Sequence, residues 1–332
     1  MMRQIEQRAR IPLLTEKGLL TRPSWAAEDL YVYNKEMLRR RGARAEWEFY
    51  QLSDRHMAVQ LCYGHAGHVG RAAVRFLDLD KKTRFDAGRT RLFPGDSFDL
   101  DFSAGQPHSI RFDREGFELS AGFDGAERRL HCLTPELTLD LAFSDECDAL
   151  FTAIPYDRQK QFCCRCRKTF LDLRGRVRVR GRDCPLTGES FVLLDSIRGV
   201  MPGQNKQVWG SGSCEWGEHV LGITLGWGTG DRRAATDNAL FWDGVIHKLG
   251  RVKECSRFDD PMRPVSLREE DGRLELCFTP RYDSFTNANY LIARSRSHQV
   301  FGTADGTVVL DDGRQLEVAD MPFFLTHTDN KW

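Results

Sequence analysis

The sequence predicts a mostly β fold of two tandem antiparallel barrels or sandwiches, with a short helical arm at the N-terminus. Three observations predict it. After Trp47 the chain consists of short runs in which apolar and polar residues alternate, and glycine, proline and aspartate separate these runs. The 332 residues are enough for about two domains.

The arm is assigned to residues 1–45, the only part of the chain with a helical pattern. In "EDLYVYNKEMLRRRGA", Leu30, Tyr33 and Met37 recur at nearly helical spacing. We therefore expect the main helices of the protein to lie here.

The first β domain is assigned to residues 46–158. Its strand candidates include "MAVQLCY", "RAAVRFLDL", "DSFDLDF", "FELSAGF" and "LTLDLAF", each with a period near two. The apolar pattern stops between Pro155 and Gln161, and the seam between the domains is expected there.

The second β domain is assigned to residues 159–332. Asp-Gly pairs occur at 243–244, 271–272, 305–306 and 312–313. Asp-Gly between apolar runs favours a type I′ hairpin, in which both central residues have positive φ. The strongest case is Asp243-Gly244, which follows "ALFW" and precedes "VIHK".

Composition excludes several classes of protein. The formal net charge is +0, which argues against nucleic acid as the main partner. No apolar run approaches the roughly 20 residues that span a bilayer, and the N-terminus lacks the apolar core of a secretory signal. Ten scattered cysteines without a signal peptide predict reduced thiols and a cytoplasmic location.

The stretch "LGWGTGD" places glycine at 226, 228 and 230. It lacks both the Gly-Lys-Ser/Thr of a phosphate-binding loop and the following helix of a dinucleotide site. In an extended chain the three glycines fall on one bare face, with Trp227 on the other. Such a face marks either a bend packed by an aromatic ring or the floor of a cavity, and the packed bend is favoured.

Several motifs resemble the family grouped as domain of unknown function 2804. They are "WGSGS" (209–213), "LGWGTGD…ATDNALFWDGVIHKL" (225–249), "HQVFG…LDDG" (298–313), "EWEFYQL" (46–52) and the closing Trp332. The family pattern has Thr-Glu-Asn where this chain has Thr236-Asp237-Asn238, and Asp-Trp-Gly-Arg-Gly where it has residues 195–199. More distantly, the chain is similar to tandem lipocalin-like proteins, including carotenoid hydratases and polyketide cyclases. That resemblance implies that the two β domains are lipocalin-like.

Two motifs suggest chemistry but have simpler interpretations. "FCCRCRK" contains Cys163, Cys164 and Cys166, with Cys184 nearby, but adjacent cysteines point to opposite faces of a strand, so no metal is predicted. In "LRGRVRVRGR", five arginines from Arg174 to Arg182 share one strand face. A solvated outer face is favoured over an anion-binding wall.

These observations predict a protein that binds a small, largely apolar molecule at a barrel mouth or between the domains, without a cofactor. The predicted ligand-binding residues are Trp209, Trp216, Trp227, Trp242, Asp231, Asn238, His298 and Gln299. The alternative is a cofactor-free hydratase, isomerase or cyclase that uses the same pocket, with His298, Asp231 and His247 as catalytic candidates. A histidine–carboxylate pair facing the cavity would favour the enzyme, and its absence would favour the binding protein.

Overall fold

A computed structural model describes residues 4–38, 43–158, 160–254, 260–290 and 293–331. Trp332, which contributes to the family resemblance, lies outside these residues. Strands make up 64% of the chain and helical residues 1%. The prediction of a mostly β fold is confirmed, and the three large sheets are antiparallel and curled.

The prediction of a helical arm is wrong, because the described part of the arm contains no α-helix. It forms the short strands β1 (Ile11–Pro12), β2 (Ser24–Ala26) and β3 (Tyr31–Val32), then a single 3₁₀ turn at Lys35–Met37. The side-chain amide of Asn34 accepts a hydrogen bond from the Leu14 N–H (2.9 Å) and donates one to the Leu14 carbonyl (2.7 Å). Pairing with distant chain therefore overrides the helical spacing.

The first sheet has eight strands in the order β2-β12-β13-β16-β4-β5-β6-β7. Besides β2, its members are β4 (Arg44–Ser53), β5 (Met57–Ala66), β6 (Val69–Asp78), β7 (Thr83–Leu92), β12 (Leu150–Pro155), β13 (Phe162–Phe170) and β16 (Phe191–Val200). The second sheet has six strands in the order β15-β14-β11-β10-β9-β8. They are β8 (His108–Arg114), β9 (Phe117–Phe123), β10 (Glu127–Leu133), β11 (Leu137–Ser144), β14 (Leu173–Val179) and β15 (Arg182–Cys184). Side chains from both sheets form one apolar core.

The third sheet has nine strands in the order β20-β19-β18-β17-β25-β24-β23-β22-β21. They are β17 (Gln204–Trp216), β18 (His219–Trp227), β19 (Ala239–Trp242), β20 (Val245–Lys248), β21 (Val252–Glu254), β22 (Val265–Glu269), β23 (Leu274–Tyr290), β24 (Ala293–Val309) and β25 (Gln315–Lys331). The sheet curls until β21 lies beside β18, and its concave face encloses a second apolar core.

The convex side of the third sheet packs on the outer face of the first sheet. Large apolar residues from both sheets meet there, namely Leu77, Phe191, Leu193, Trp209, Phe301 and Phe324. Three glutamines extend the contact: Gln60 donates to Gln299 (2.6 Å) and to Gln51 (2.9 Å), and Gln299 donates to Gln51 (3.1 Å). The two cores are thus joined by a third, smaller one.

Three predictions about hairpins and strands have different outcomes. Asp243 and Gly244 have φ of 50° and 79° in the β19–β20 hairpin, as predicted. Asp305-Gly306 does not form a hairpin, because it lies inside β24 at a shift in register. "DSFDLDF" is not a strand but part of the loop between β7 and β8. The predicted seam at residues 155–161 is the turn between β12 and β13 of the first sheet, and the chain enters the third sheet between Val200 and Gln204.

Candidate functional site

A cavity of about 310 Å³ lies between the outer face of the first sheet and the convex face of the third. It is within the size range of small-molecule sites. Its wall on the first sheet is largely apolar and consists of Ala45, Trp47, Phe49, Ala66, Val69, Ile197 and Met201. These residues alternate with side chains that face the first core, so the strand period of two supplies the wall.

The opposite wall carries hydroxyls and amides. Alternate residues of β23, β24 and β25 supply it: Thr286, Ser295, Ser297, Gln299, Thr326, Thr328 and Asn330. Thr326 and Asn330 are 4% and 7% exposed, and the Thr326 hydroxyl and the Asn330 carbonyl oxygen have no hydrogen-bond partner among the described residues. Buried polar atoms are normally satisfied, so these two are available to a ligand or to water.

A buried ionic cluster closes one side of the cavity. The Arg165 guanidinium lies 3.1 Å from a carboxylate oxygen of Asp195 and 3.1 Å from one of Asp237. It also donates to the side-chain oxygen of Gln207 (3.2 Å). Arg165, Asp195 and Gln207 line the cavity, whereas Asp237 lies behind them. Because the cluster pairs its charges internally, it presents a polar but compensated surface.

Arg167 supports this cluster from the next outward position of β13. Its guanidinium donates to the Leu225 carbonyl (2.9 Å) and lies 5.3 Å from the centre of the Trp209 ring. Burial alone would raise the pKa of Asp237, but the cations of Arg165 and Arg167 outweigh burial and the pKa is lowered. Asp237 is therefore an anion that pairs with Arg165 and lies close to Arg167, not a proton donor near neutral pH.

The glycine stretch has a different role at each glycine. A Cβ on Gly226 would lie 2.9 Å from the Arg167 guanidinium and 2.9 Å from the Asp237 Cβ, so this glycine leaves room for the ionic cluster. β18 ends at Trp227, and Gly228 and Gly230 turn the chain with φ of 90° and 52°. The prediction of one continuous bare strand face is therefore wrong beyond Trp227. The prediction of close approach holds at Gly228 and Gly230, where a Cβ would clash with neighbouring backbone.

The structure brings two of the predicted ligand-binding residues into this cavity, Trp209 and Gln299. Trp209 is held by edge contacts with Phe49 (5.9 Å between ring centres) and Phe324 (5.1 Å). Asn238 lies just behind the ionic cluster, where its side chain accepts from the Gly226 N–H (2.7 Å) and donates to the Gly250 carbonyl (2.8 Å).

The other predicted residues lie elsewhere. Trp227 packs against the second core, and His298, next to Gln299 on β24, points to that same concave side with its Nδ1 2.7 Å from Asp283. Trp216 and Trp242 contact each other at the far end of the third sheet. Asp231 pairs with the exposed Arg233, and His247 lies 3.3 Å from Asp311.

The two motifs with simpler interpretations are surface and core features. Arg174, Arg176, Arg178 and Arg180 are exposed and pair with Glu127, Asp140, Asp183 and Glu136 respectively. Burial raises the pKa of the thiols of Cys163, Cys164 and Cys166. The cysteines thus behave as buried neutral thiols.

Sequence reasoning missed Arg165, Asp195 and Gln207. Arg165 and Arg167 lie inside "FCCRCRK", where they alternate with the inward-facing residues of a strand. Arginine on the outer face of a strand normally meets water. Only the packing of the third sheet buries these two, and a local pattern does not report that packing.

Two groups of possible metal ligands come together among the described residues, Glu46/His65/Asp99 and Glu269/Glu270/Asp271. In the first, the Tyr33 hydroxyl donates to Glu46 (2.6 Å), and Lys35 and Arg44 pair with Asp99. These contacts tie the arm to the first sheet.

Within the described ranges, no helix has the length and apolar character needed to cross a membrane.

Comparisons with known proteins agree with this architecture. The sequence profile described as "Domain of unknown function (DUF2804)" matches residues 4–332. No curated protein matches the sequence. The crystal structure of CghA is similar with a TM-score of 0.51 at 10% identity, covering 86% of this chain and 88% of that one.

Two further solved structures are similar. The crystal structure of CghA with Sch210972 has a TM-score of 0.51 at 9% identity and covers 99% of this chain and 96% of that one. Kievitone hydratase from Nectria haematococca (C2 SG) has a TM-score of 0.48 at 9% identity and covers 87% and 89%. At these identities, the likeness to CghA shows a common fold.

Proposed function

The chain belongs to the DUF2804 family, and from that premise we propose that it binds a small, largely apolar molecule in the cavity between its first and third sheets. The observation that carries the proposal is the apolar wall around Trp47, Phe49 and Trp209. Aromatic side chains lining a cavity of this size are typical of ligand sites. CghA, which has a similar fold and whose crystal structure has been determined with Sch210972, supports the proposal by analogy.

The polar groups favour binding over catalysis. A cofactor-free hydratase, isomerase or cyclase would need an acid–base pair at the cavity. Among the described residues, the lining contains no histidine, and its one carboxylate, Asp195, is paired with Arg165. His298 and Asp283 do form a histidine–carboxylate pair, but they lie on the concave side of the third sheet.

A neutral fluorescent probe tests the site. N-phenyl-1-naphthylamine brightens on entering an apolar cavity, and we expect the purified protein to bind it with quenching of tryptophan fluorescence. Ala45→Phe from the first sheet and Ser297→Phe from the third should each fill the cavity and weaken binding by about tenfold or more. Two variants from opposite walls guard against the failure of one to fold.

The matched control is Ala126→Phe, which adds the same ring at an exposed turn between β9 and β10. It should leave probe binding unchanged. Binding that survives both cavity-filling variants would place the probe elsewhere and contradict the proposal. Native mass spectrometry of the purified protein would then identify any molecule that is retained.

A further inference from the structure

Arg71 is a cation at the cavity whose charge is not compensated. It lies on β6 and lines the cavity beside Val69. No side-chain hydrogen bond or ion pair joins the Arg71 guanidinium to another of the described residues, although its backbone is paired with Gly64 and Thr90 in the sheet. Arg75 lies on the same face of β6, four residues further along the chain. Its guanidinium pairs with Asp86 at 2.5 Å.

The other two charged side chains that line the cavity, Arg165 and Asp195, balance each other. Arg165 and Arg167 carry two positive charges, and Asp195 and Asp237 carry two negative charges within the same cluster. Among the described residues that line the cavity, Arg71 is therefore the excess charge. A guanidinium stays protonated at all relevant pH values, so the excess is permanent.

Strand register places Arg71 and the ionic cluster at opposite ends of one row. Successive partners across the first sheet are Arg165, Ile197, Trp47, Gly64 and Arg71. Five strands with four spacings between them separate the two arginines by roughly 19 Å along the sheet. The apolar side chains of Ile197 and Trp47 lie in between, and Gly64 leaves the floor beside Arg71 without a side chain.

The row suits an apolar acid, because apolar side chains lie in its middle and an uncompensated cation lies at one end. Building on the function proposed above, we infer that the ligand has an apolar body that lies on Trp47 and Ile197 and one anionic oxygen group, such as a carboxylate, that Arg71 binds. A planar guanidinium at the edge of an apolar wall suits a carboxylate because it donates two parallel hydrogen bonds. The unpartnered oxygens of Thr326 and Asn330 on the facing wall would accept hydrogen bonds from hydroxyl or amide groups of the ligand body.

Two probes with the same ring system separate charge from apolar contact. 1-Anilinonaphthalene-8-sulfonate carries an anionic oxygen group, and N-phenyl-1-naphthylamine is the same molecule without it. The full-length protein should bind the anionic probe more tightly. Arg71→Gln should weaken binding of the anionic probe by about tenfold or more and leave the neutral probe within about twofold.

Two further variants make the result specific. Arg75→Gln removes the same charge from the same strand face but outside the cavity, and it should change neither affinity. Arg71→Lys keeps the charge and should retain the preference for the anionic probe. Arg71→Gln could disturb the wall and weaken the binding of both probes. The inference is still supported if Arg71→Lys keeps the preference for the anionic probe and Arg71→Gln loses it.

The outcomes distinguish this inference from the proposed function. Equal affinities for the two probes, unchanged by Arg71→Gln, would overturn the apolar acid and leave the cavity as a binding site. If Ala45→Phe and Ser297→Phe leave the binding of both probes unchanged, the probes bind elsewhere. That result would instead overturn the proposed binding cavity itself.

Discussion

Gly226 and Gly228 lie two positions apart, and each must be glycine for a different reason. Gly226 leaves space for the Arg167 guanidinium, whereas Gly228 has a φ of 90° and its missing Cβ would lie 2.5 Å from the Lys206 carbonyl oxygen. The sequence predicts close approach along this stretch. It does not identify which atom approaches, because Arg167 and Lys206 come from other strands.

Gly228→Val tests this assignment. Valine would be strained at positive φ and would clash with backbone that cannot rotate away, so we expect the free energy of unfolding to fall by about 2 to 5 kcal/mol. Urea unfolding followed by circular dichroism measures the change. Gly222→Ala on β18, the strand that precedes this turn, is the control, because the nearest neighbour of its Cβ would be the Phe241 Cβ at an ordinary 3.5 Å. Equal stability of Gly228→Val and the parent protein would show that this turn adapts to a side chain.

At the scale of the element, alternation identified most strands correctly because one face of each is apolar. It failed for the arm, where Asn34 and strand pairing with β1 replace helical hydrogen bonds. It also could not distinguish a solvated arginine face from a buried one. β14 and β13 both alternate arginine with other residues, and only the sheet that packs on β13 makes the difference.

The arginines of β14 are therefore expected to contribute little to stability. The side chains of Arg176 and Arg178 are 69% and 53% exposed, and solvent screens ion pairs of this kind. Arg176→Gln and Arg178→Gln should each change the free energy of unfolding by less than about 0.5 kcal/mol. Arg165→Gln on β13, by contrast, leaves Asp195 and Asp237 with fewer partners and should cost about 3 kcal/mol or more. Similar losses from both strands, measured by urea unfolding, would contradict the distinction.

At the scale of the molecule, the candidate site forms where outward faces of two separate sheets meet. No local pattern reports that meeting, since Trp47, Arg165 and Gln299 come from strands far apart in sequence. The prediction of a site between two β units was available from chain length and strand pattern. The identity of the lining residues depended on register and on which faces pack together.

Buried charge is also unevenly distributed over the molecule, and this has a consequence in acid. Burial alone would raise the pKa values of Glu46 and Glu48 in the first sheet, but His65 and Tyr33 for Glu46, and His108 and Arg198 for Glu48, lower both to about 2. In the third sheet, burial instead raises the pKa of Glu254 to about 7.

We expect acid to weaken the third sheet before the first. Burial lowers the pKa of His327 on β25 to about 3, so the stabilisation that comes from its neutral form is lost as the pH falls from about 6.5 towards about 3. A carboxylate with a lowered pKa stabilises the fold fully above its unfolded pKa of about 4.5, and this contribution is lost as the pH falls towards about 2. The difference corresponds to about 3 kcal/mol for each of the two glutamates. Glu254 has the opposite sign, since its protonated form is favoured in the folded protein, so acid does not remove stability through this group. Hydrogen exchange at pH 7 and pH 4 should show protection lost first in β22–β25. Glu48→Gln should flatten the pH dependence of urea unfolding between about pH 4.5 and pH 2, whereas the exposed Asp113→Asn should not. Earlier loss of protection in β4–β6 would show that other groups control stability in acid.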